Sequence, residues 1–229
     1  MKQLRAEQVG RRFMRKSGTA NFFYGVQPQS LELPEGSLTV IMGRSGSGKT
    51  TLLNLLSGML PPTEGKVFHG EKDLYAMSDA ELSEWRGTKM GVIPQGRAML
   101  DALTVMENIL LPGNLYPKKD RSGTELAALA EELLQRLGIA HLADSFPAEL
   151  SGGELRRAAI ARAVLYEPDF LFADEPTGDL DDENTEIVLK LLREEADRGA
   201  VVLMVTHERE AASYADRCYR MEAGKLQEI

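Results

Sequence analysis

The chain has 229 residues, 43% hydrophobic and 27% charged, enough for one domain with a full core or a domain carrying an inserted lobe. Its net charge of −8 speaks against gripping nucleic acid over a broad basic face, and its single cysteine, Cys218, excludes an internal disulfide framework and fits an inert thiol in a reducing compartment. The start MKQLRAEQVGRRF lacks the apolar core of a signal peptide, and no run approaches the roughly 18 apolar residues of a membrane span, so a soluble cytoplasmic chain is expected, with any membrane crossing left to another polypeptide.

In chain order, Leu31 to Leu33 and Leu38 to Met42 read as strands, joined by the turn Pro34-Glu35-Gly36. The second strand runs into the glycine-rich stretch GRSGSGKT, residues 43–50. A leucine-rich helix follows and ends at Gly58 and Pro61-Pro62. Thr63 to Gly70 reads as a strand and turn, Asp79 to Trp85 as a helix that Trp85 helps to pack, and Gly91 to Pro94 as a strand followed by Gln95. From Gly96 to about Ala148 the pattern turns helical, with an amphipathic helix over Glu125 to Leu137. A helix over 154–166 comes next. Phe170 to Ala173 and Val201 to Val205 are buried strands, separated by a helix over Glu183 to Arg198. Apolar strands alternating with helices predict a mostly parallel sheet covered on both faces, with ligands beyond the strands' carboxyl ends. Three polar clusters fall at such ends: Gly43 to Thr50, Asp174-Glu175 and Thr206-His207.

GRSGSGKT fits the phosphate-binding pattern G-x-x-x-x-G-K-[ST]. Backbone N–H groups can surround a phosphate only in a tight loop with little side-chain obstruction, which Gly43, Gly46 and Gly48 allow, with Arg44, Ser45 and Ser47 between them. The following helix adds its N-terminal N–H groups, beginning at Lys49, Thr50 and Thr51. Lys49 supplies a point charge to the β- and γ-phosphates, and Thr50 offers a hydroxyl to Mg²⁺. In FLFADE, residues 170–175, a core strand ends in two carboxylates: Asp174 can hold Mg²⁺ through a water, and Glu175 can orient and polarise an attacking water. In LSGGE, residues 150–154, Ser151 and Glu154 have capping-box spacing, while the N–H groups near Gly152 and Gly153 stay open to an anion.

With LSGGE between the P-loop and FLFADE, the chain resembles the nucleotide-binding subunit of an ABC transporter over nearly its whole length. The resemblance implies a P-loop NTPase core with a mostly parallel sheet, an N-terminal antiparallel β subdomain and a helical lobe inserted at about 96–157, all within one ATPase domain spanning 1–229. It implies ATP and Mg²⁺ as ligands and two subunits, a homodimer or a pair with a similar ATPase, closing head to tail around two nucleotides. Ser151, Gly152, Gly153 and Glu154 then face the γ-phosphate held by the partner; glutamine is the commoner residue at 154. Gln95 becomes a Mg²⁺ ligand and a lever toward the membrane partner. His207 contacts the γ-phosphate, and Asp181 couples the two sites. The family also stacks an aromatic ring on adenine. Phe13 is best placed by position, with Phe22, Phe23 and Tyr24 competing and a core role open for each.

ADEPTGDLD, residues 173–181, and ENILLP, residues 107–112, resemble the branch serving lipoprotein, peptide and macrolide exporters, which includes a cell-division relative. That branch commonly has Asn where this chain has Asp179. The expected partner is a separate transmembrane permease, at the inner face of the cell membrane. A membrane signalling module fits the same motifs. A non-transport ABC ATPase is disfavoured, since no long coiled coil and no second ATPase domain is present, and LSGGE speaks against a P-loop small-molecule kinase.

Overall fold

The computed structural model describes residues 2–14, 22–96, 98–117 and 122–229. Residues 97 and 118–121 of the expected lobe therefore lie outside the described residues. Strands β1 (Leu4–Met14) and β2 (Phe22–Leu33) pair antiparallel. β3 (Leu38–Met42) leads into helix α1 (Lys49–Leu56). β4 (Glu64–His69) and β5 (Lys72–Asp73) follow, then α2 (Asp79–Lys89) and β6 (Met90–Ile93). Next come α3 (Val105–Leu115), α4 (Gly123–Arg136) and α5 (Gly152–Val164). β7 (Phe170–Asp174), α6 (Asp182–Asp197) and β8 (Val201–Thr206) complete the core, and the hairpin of β9 (Arg217–Glu222) and β10 (Lys225–Glu228) closes the chain.

The strands form two sheets, one antiparallel in the order β2-β1-β4-β5 and one in the order β10-β9-β3-β8-β7-β6. In the second sheet every pairing is parallel except that of the edge strand β10. The turn at Pro34–Gly36 does not make a hairpin. It carries the chain from one sheet to the other, because β2 pairs with β1 while β3 pairs with β8 and β9.

Side-chain alternation explains why the central strands read as unbroken apolar runs. Leu171, Ala173, Val202 and Met204 face the core beneath α3 to α6. Phe170, Phe172, Val201, Leu203 and Val205 face the other core, shared with α1 and the antiparallel sheet. Successive residues of a strand point to opposite faces, so a sheet covered on both sides is apolar at nearly every position, the buried Thr39 within β3 being an exception. Helix α1 lies between the sheets with Leu52, Leu53, Leu55 and Leu56 buried, each side chain worth roughly 1.5–3 kcal/mol of transfer free energy. The helix starts of α2, α3, α4 and α5 all carry a Ser or Thr cap answered by a glutamate three residues on, which fixes where each begins.

One buried polar residue had no sequence signal. His69, at the end of β4, is 1% exposed and stacks on Phe170 with ring centroids 4.1 Å apart. Its Nε2–H donates to the Leu56 carbonyl at 2.8 Å, which leaves Nδ1 to accept from Trp85 Nε1–H at 3.2 Å. The ring thereby ties α1, α2 and the antiparallel sheet to the core, and Trp85 does pack its helix. Cys218 is half-buried and free, its thiol pushed up by burial.

Burial lowers the His69 pKa from 6.5 to about 4. The unfolded chain therefore takes up this proton first. The ring's contribution is whole above pH 6.5 and declines by roughly 3 kcal/mol as pH falls toward 4. Denaturant titrations of wild type and His69→Gln across that window check this: the wild type should lose stability more steeply with acid than the variant, and parallel curves would rule the histidine out.

Candidate nucleotide-binding and catalytic site

The loop after β3 is shaped by close backbone approach. A Cβ on Gly43 would lie 2.5 Å from the Met221 carbonyl oxygen of β9 and 2.8 Å from Ser47 Oγ. Gly48 has φ +109, and a Cβ there would lie 2.4 Å from the Gly25 carbonyl oxygen. Only glycine meets both conditions, and the loop is held between β9 and β2 as a result. Arg44, Ser45, Gly46, Ser47, Gly48, Lys49, Thr50 and Thr51 line one cleft of about 970 Å³, together with Phe13, Gln95, Glu175 and His207. Gly43 lines an adjoining cleft that shares Arg44 to Ser47 and His207.

Lys49 is 7% exposed, and its Nζ donates to the carbonyls of Gly43 at 2.7 Å and Arg44 at 3.4 Å. It also lies 3.6 Å from Glu175 Oε1. The other oxygen, Oε2, accepts from Thr206 Oγ1–H at 3.1 Å, His207 N–H at 3.3 Å and His207 Nδ1–H at 2.9 Å. A carboxylate only accepts, so this contact places the imidazole proton on Nδ1. Glu175 itself has φ +49, outside the strand conformation, which turns its side chain into the cleft just past β7.

Asp174 is 3% exposed. Burial pushes its carboxyl above the usual range; a hydrogen bond from Thr50 and the charges of Lys49 and Arg156 oppose this, while Glu175 adds to it. Asp174 Oδ1 and Ser47 Oγ are buried without a partner among the described residues. Native proteins rarely leave such atoms unpaired. A carboxylate oxygen with no donor, beside a threonine hydroxyl, fits a hard divalent cation that takes oxygen ligands. Thr50, Asp174 and the nearby Gln95 are thus a donor set suited to Mg²⁺.

Gln95 follows β6 and is exposed. Arg156 of α5 fastens its segment, donating to the Pro94 carbonyl at 2.6 Å and the Gln95 carbonyl at 2.8 Å. Burial lowers the Arg156 pKa, and Asp179, Asp174 and Glu175 oppose that shift with their charge. Sequence reasoning missed Arg156; its only signal was a position two residues past Glu154 on a helix otherwise turned to the core.

Ser151 caps α5: its Oγ accepts from Glu154 N–H, and Glu154 Oε2 accepts from Ser151 N–H at 2.8 Å. The Ser151 contacts hold the Glu154 carboxyl below its usual range. Ser151 and Gly152 are exposed, and none of the residues from Ser151 to Glu154 lines the P-loop clefts. A Cβ on Gly153 would lie 3.3 Å from the Asp179 carbonyl oxygen, so the LSGGE turn of residues 150–154, the signature turn, rests on the segment after β7. Asp179 has φ +67, a left-handed position that Asn and Asp tolerate through their short polar side chains. Asp therefore stands in for the Asn of the exporter branch at no backbone cost. Asp181 caps α6, accepting from Asn184 N–H at 2.8 Å.

The ABC transporter family model matches residues 26–178. The chain belongs to the ABC transporter ATP-binding family. It is 42% identical over 197 residues to the lipoprotein-releasing system ATP-binding protein LolD of Aquifex aeolicus, covering 86% of this chain and 87% of that one. Against LolD of Myxococcus xanthus it is 38% identical over 200 residues, covering 87% and 88%. Its fold matches the dimeric structure of the ABC transporter cassette MJ0796 with a TM-score of 0.91 and 32% identity, covering 99% of this chain and 97% of that one. A dimeric post-hydrolysis state of the same cassette, bound to ADP and Pi, matches with a TM-score of 0.91 and 31% identity, over the same shares of each chain. This chain is accordingly an ATP-binding and ATP-hydrolysing subunit of an ABC transporter, with the α/β P-loop fold that its motifs implied.

Arg156→Met should free the Gln95 segment from α5. The loss of two charge-assisted bonds, one part-buried and one exposed, should cost roughly 1–2 kcal/mol of stability and lower ATP turnover. Thermal denaturation and steady-state hydrolysis measure both; unchanged values would show that the Gln95 segment holds its position without Arg156.

Proposed function

We propose that this subunit powers a separate transmembrane permease that exports a lipoprotein, peptide or other hydrophobic compound, working as a homodimer on the inner face of the cell membrane. Support for the branch comes from relatives named as lipoprotein-releasing ATPases, alike over nearly the whole chain. No helix of the described residues is long and apolar enough to cross a membrane, which agrees with a separate permease. The observation that carries the catalytic reading is that the P-loop, Gln95 and the Glu175–His207 pair line one cleft, with the buried Asp174 hydrogen-bonded to Thr50 of that lining.

In this reading the triphosphate enters the amide cup of Gly43 to Thr51, and Lys49 transfers its donors from the Gly43 and Arg44 carbonyls to the β- and γ-phosphates. Thr50, Gln95 and, through a water, Asp174 would hold a magnesium ion, which when bound would supply positive charge to the phosphate oxygens. Glu175, released from Lys49 by the incoming anion, orients and polarises a water, while His207 contacts the γ-phosphate. The exposed Ser151 to Glu154 turn supplies N–H groups to the nucleotide of a second subunit, and Asp181 couples the two sites. The lobe of about 96–157, fastened to Gln95 through Arg156, carries the resulting motion to the permease.

Glu175→Gln keeps the side chain's shape and removes its charge. It should slow hydrolysis by about 100-fold or more and trap an ATP-bound dimer. Turnover assays and size-exclusion with Mg-ATP check both; full turnover would remove Glu175 from its role.

Ser151→Arg should leave ATP binding by the monomer intact and block turnover, as measured by nucleotide titration beside hydrolysis. Unchanged turnover would exclude action across the dimer. Co-purification of the tagged subunit from detergent-solubilised membranes identifies the permease and separates export from signalling.

A further inference from the structure

The turns that follow β7 and β8 are laced together by side chains the nucleotide reading does not use. Thr177, two residues past Glu175, is 1% exposed, and its Oγ1–H donates to Glu208 Oε2, one residue past His207. Glu208 is held at its backbone as well, where its N–H donates to Thr206 Oγ1 at 3.1 Å. That same Thr206 hydroxyl donates to Glu175 Oε2 at 3.1 Å. The ring closes through the backbone after β7: Gly178 N–H donates to the Glu175 carbonyl at 3.2 Å, and Leu180 N–H to the Thr177 carbonyl at 3.1 Å.

Chemistry fixes the direction of these bonds. A carboxylate only accepts, so both threonine protons are committed, that of Thr177 to Glu208 and that of Thr206 to Glu175. His207 lies between the two anchored residues, with its N–H and its Nδ1–H on Glu175 Oε2. Its side chain is 67% exposed, so packing does little to hold it, and the bonds of its turn set where the imidazole stands. The segment after β7 also reaches the signature turn, since the Asp179 carbonyl stands beneath Gly153. Glu208 thus joins the histidine beside the phosphate loop to the segment on which the same subunit's LSGGE turn rests.

We infer that Thr177 and Glu208 are positioning residues for hydrolysis, their bond holding His207 and Glu175 in a fixed arrangement across the ends of β7 and β8. This rests on the reading of Glu175 and His207 as the groups that handle the water and the γ-phosphate. Neither Thr177 nor Glu208 lines the P-loop clefts, so both act through those two groups and not on the nucleotide. What the link needs of Glu208 is an acceptor oxygen and not a charge, because Thr177 offers it a hydroxyl and no cation.

The test is steady-state hydrolysis and calorimetric Mg-ATP titration of the full chain and its variants, each assayed well below its melting temperature. Thr177→Val keeps the shape and deletes the donor, and Glu208→Ala deletes the acceptor. Each should lower kcat about tenfold while leaving KM and the Kd for Mg-ATP within about twofold of wild type. Thr177→Ser and Glu208→Gln keep a donor and an acceptor, and should turn over within about twofold of wild type. Combining Thr177→Val with Glu208→Ala should be no slower than Glu208→Ala alone. A Glu208→Gln variant as slow as Glu208→Ala would assign the effect to charge and overturn the inference. Additive losses in the double variant overturn it too, as does a loss confined to ATP affinity or to melting temperature. Should Thr177→Val not fold, Glu208→Ala, at a half-buried position, decides by the same split of kcat from KM. Glu175→Gln is the control on the underlying reading. If it hydrolyses ATP at the wild-type rate, that reading falls and the inference with it; if it is slow while Thr177→Val and Glu208→Ala are not, only the positioning link falls.

Discussion

The site depends on the parallel register of β3, β8 and β7. Met42 pairs with Thr206, and Asp174 pairs with Val205, so the three strands end within a residue of one another. The chain leaves β3 into the phosphate loop, β7 into Glu175 and β8 into His207 at the same edge of the sheet. A slip of one residue would turn each strand's side chains to the other face. That slip is blocked because both faces are buried, by Leu171 and Met204 on one side and Phe172 and Leu203 on the other. The catalytic geometry is therefore a consequence of core packing, and the polar residues need only stand at the strand ends.

The charges at this edge form a closed circuit. Lys49 neutralises part of Glu175, Glu175 holds His207 by its Nδ1–H, and Asp174 leans on Thr50. Two buried oxygens in the same place, Asp174 Oδ1 and Ser47 Oγ, lie outside that circuit. In the proposed reading an incoming polyphosphate would compete for the lysine and so change what Glu175 faces. The signature turn stands apart, exposed and capped by its own glutamate. In the same reading one subunit holds the groups for binding and an incomplete set for turnover, which would make dimer closure the natural point of control.

Much of this edge was legible in the sequence because its signals are local. Continuous apolar runs marked β3, β7 and β8, and Ser151 with Glu154 marked the start of α5. β1 was not legible. Its pairing with β2 shifts register between Ala6 and Val9 and again near Arg11, and Gln8 has φ +48, so the alternation that announces a strand is broken by bulges. Of β2, only the buried end at Leu31 to Leu33 showed. The His69–Trp85 bond and the Arg156 clamp join residues 16 and at least 61 positions apart, and neither has a spacing rule. The choice among Phe13, Phe22, Phe23 and Tyr24 was undecidable for the same reason. Which rings reach the cleft turns on the cross-strand register of β1 and β2.

The two kinds of fastening suggest how the molecule divides rigidity from motion. The phosphate loop is pinned by backbone contacts to β2 and β9, where glycine allows approaches that any Cβ would prevent. The strand ends beside it are set by dry core on both faces. The Gln95 segment is held differently: side chains of α5 reach its carbonyls, Arg156 to Pro94 and Gln95 and Arg162 to Ala98. Close-packed cores resist deformation, whereas a few long side chains on backbone carbonyls can exchange partners without a cavity opening. A change at the γ-phosphate is therefore more easily expressed as movement of Gln95 together with α5 than as any shift of the sheet. The signature turn, at the start of that same helix, would move with it.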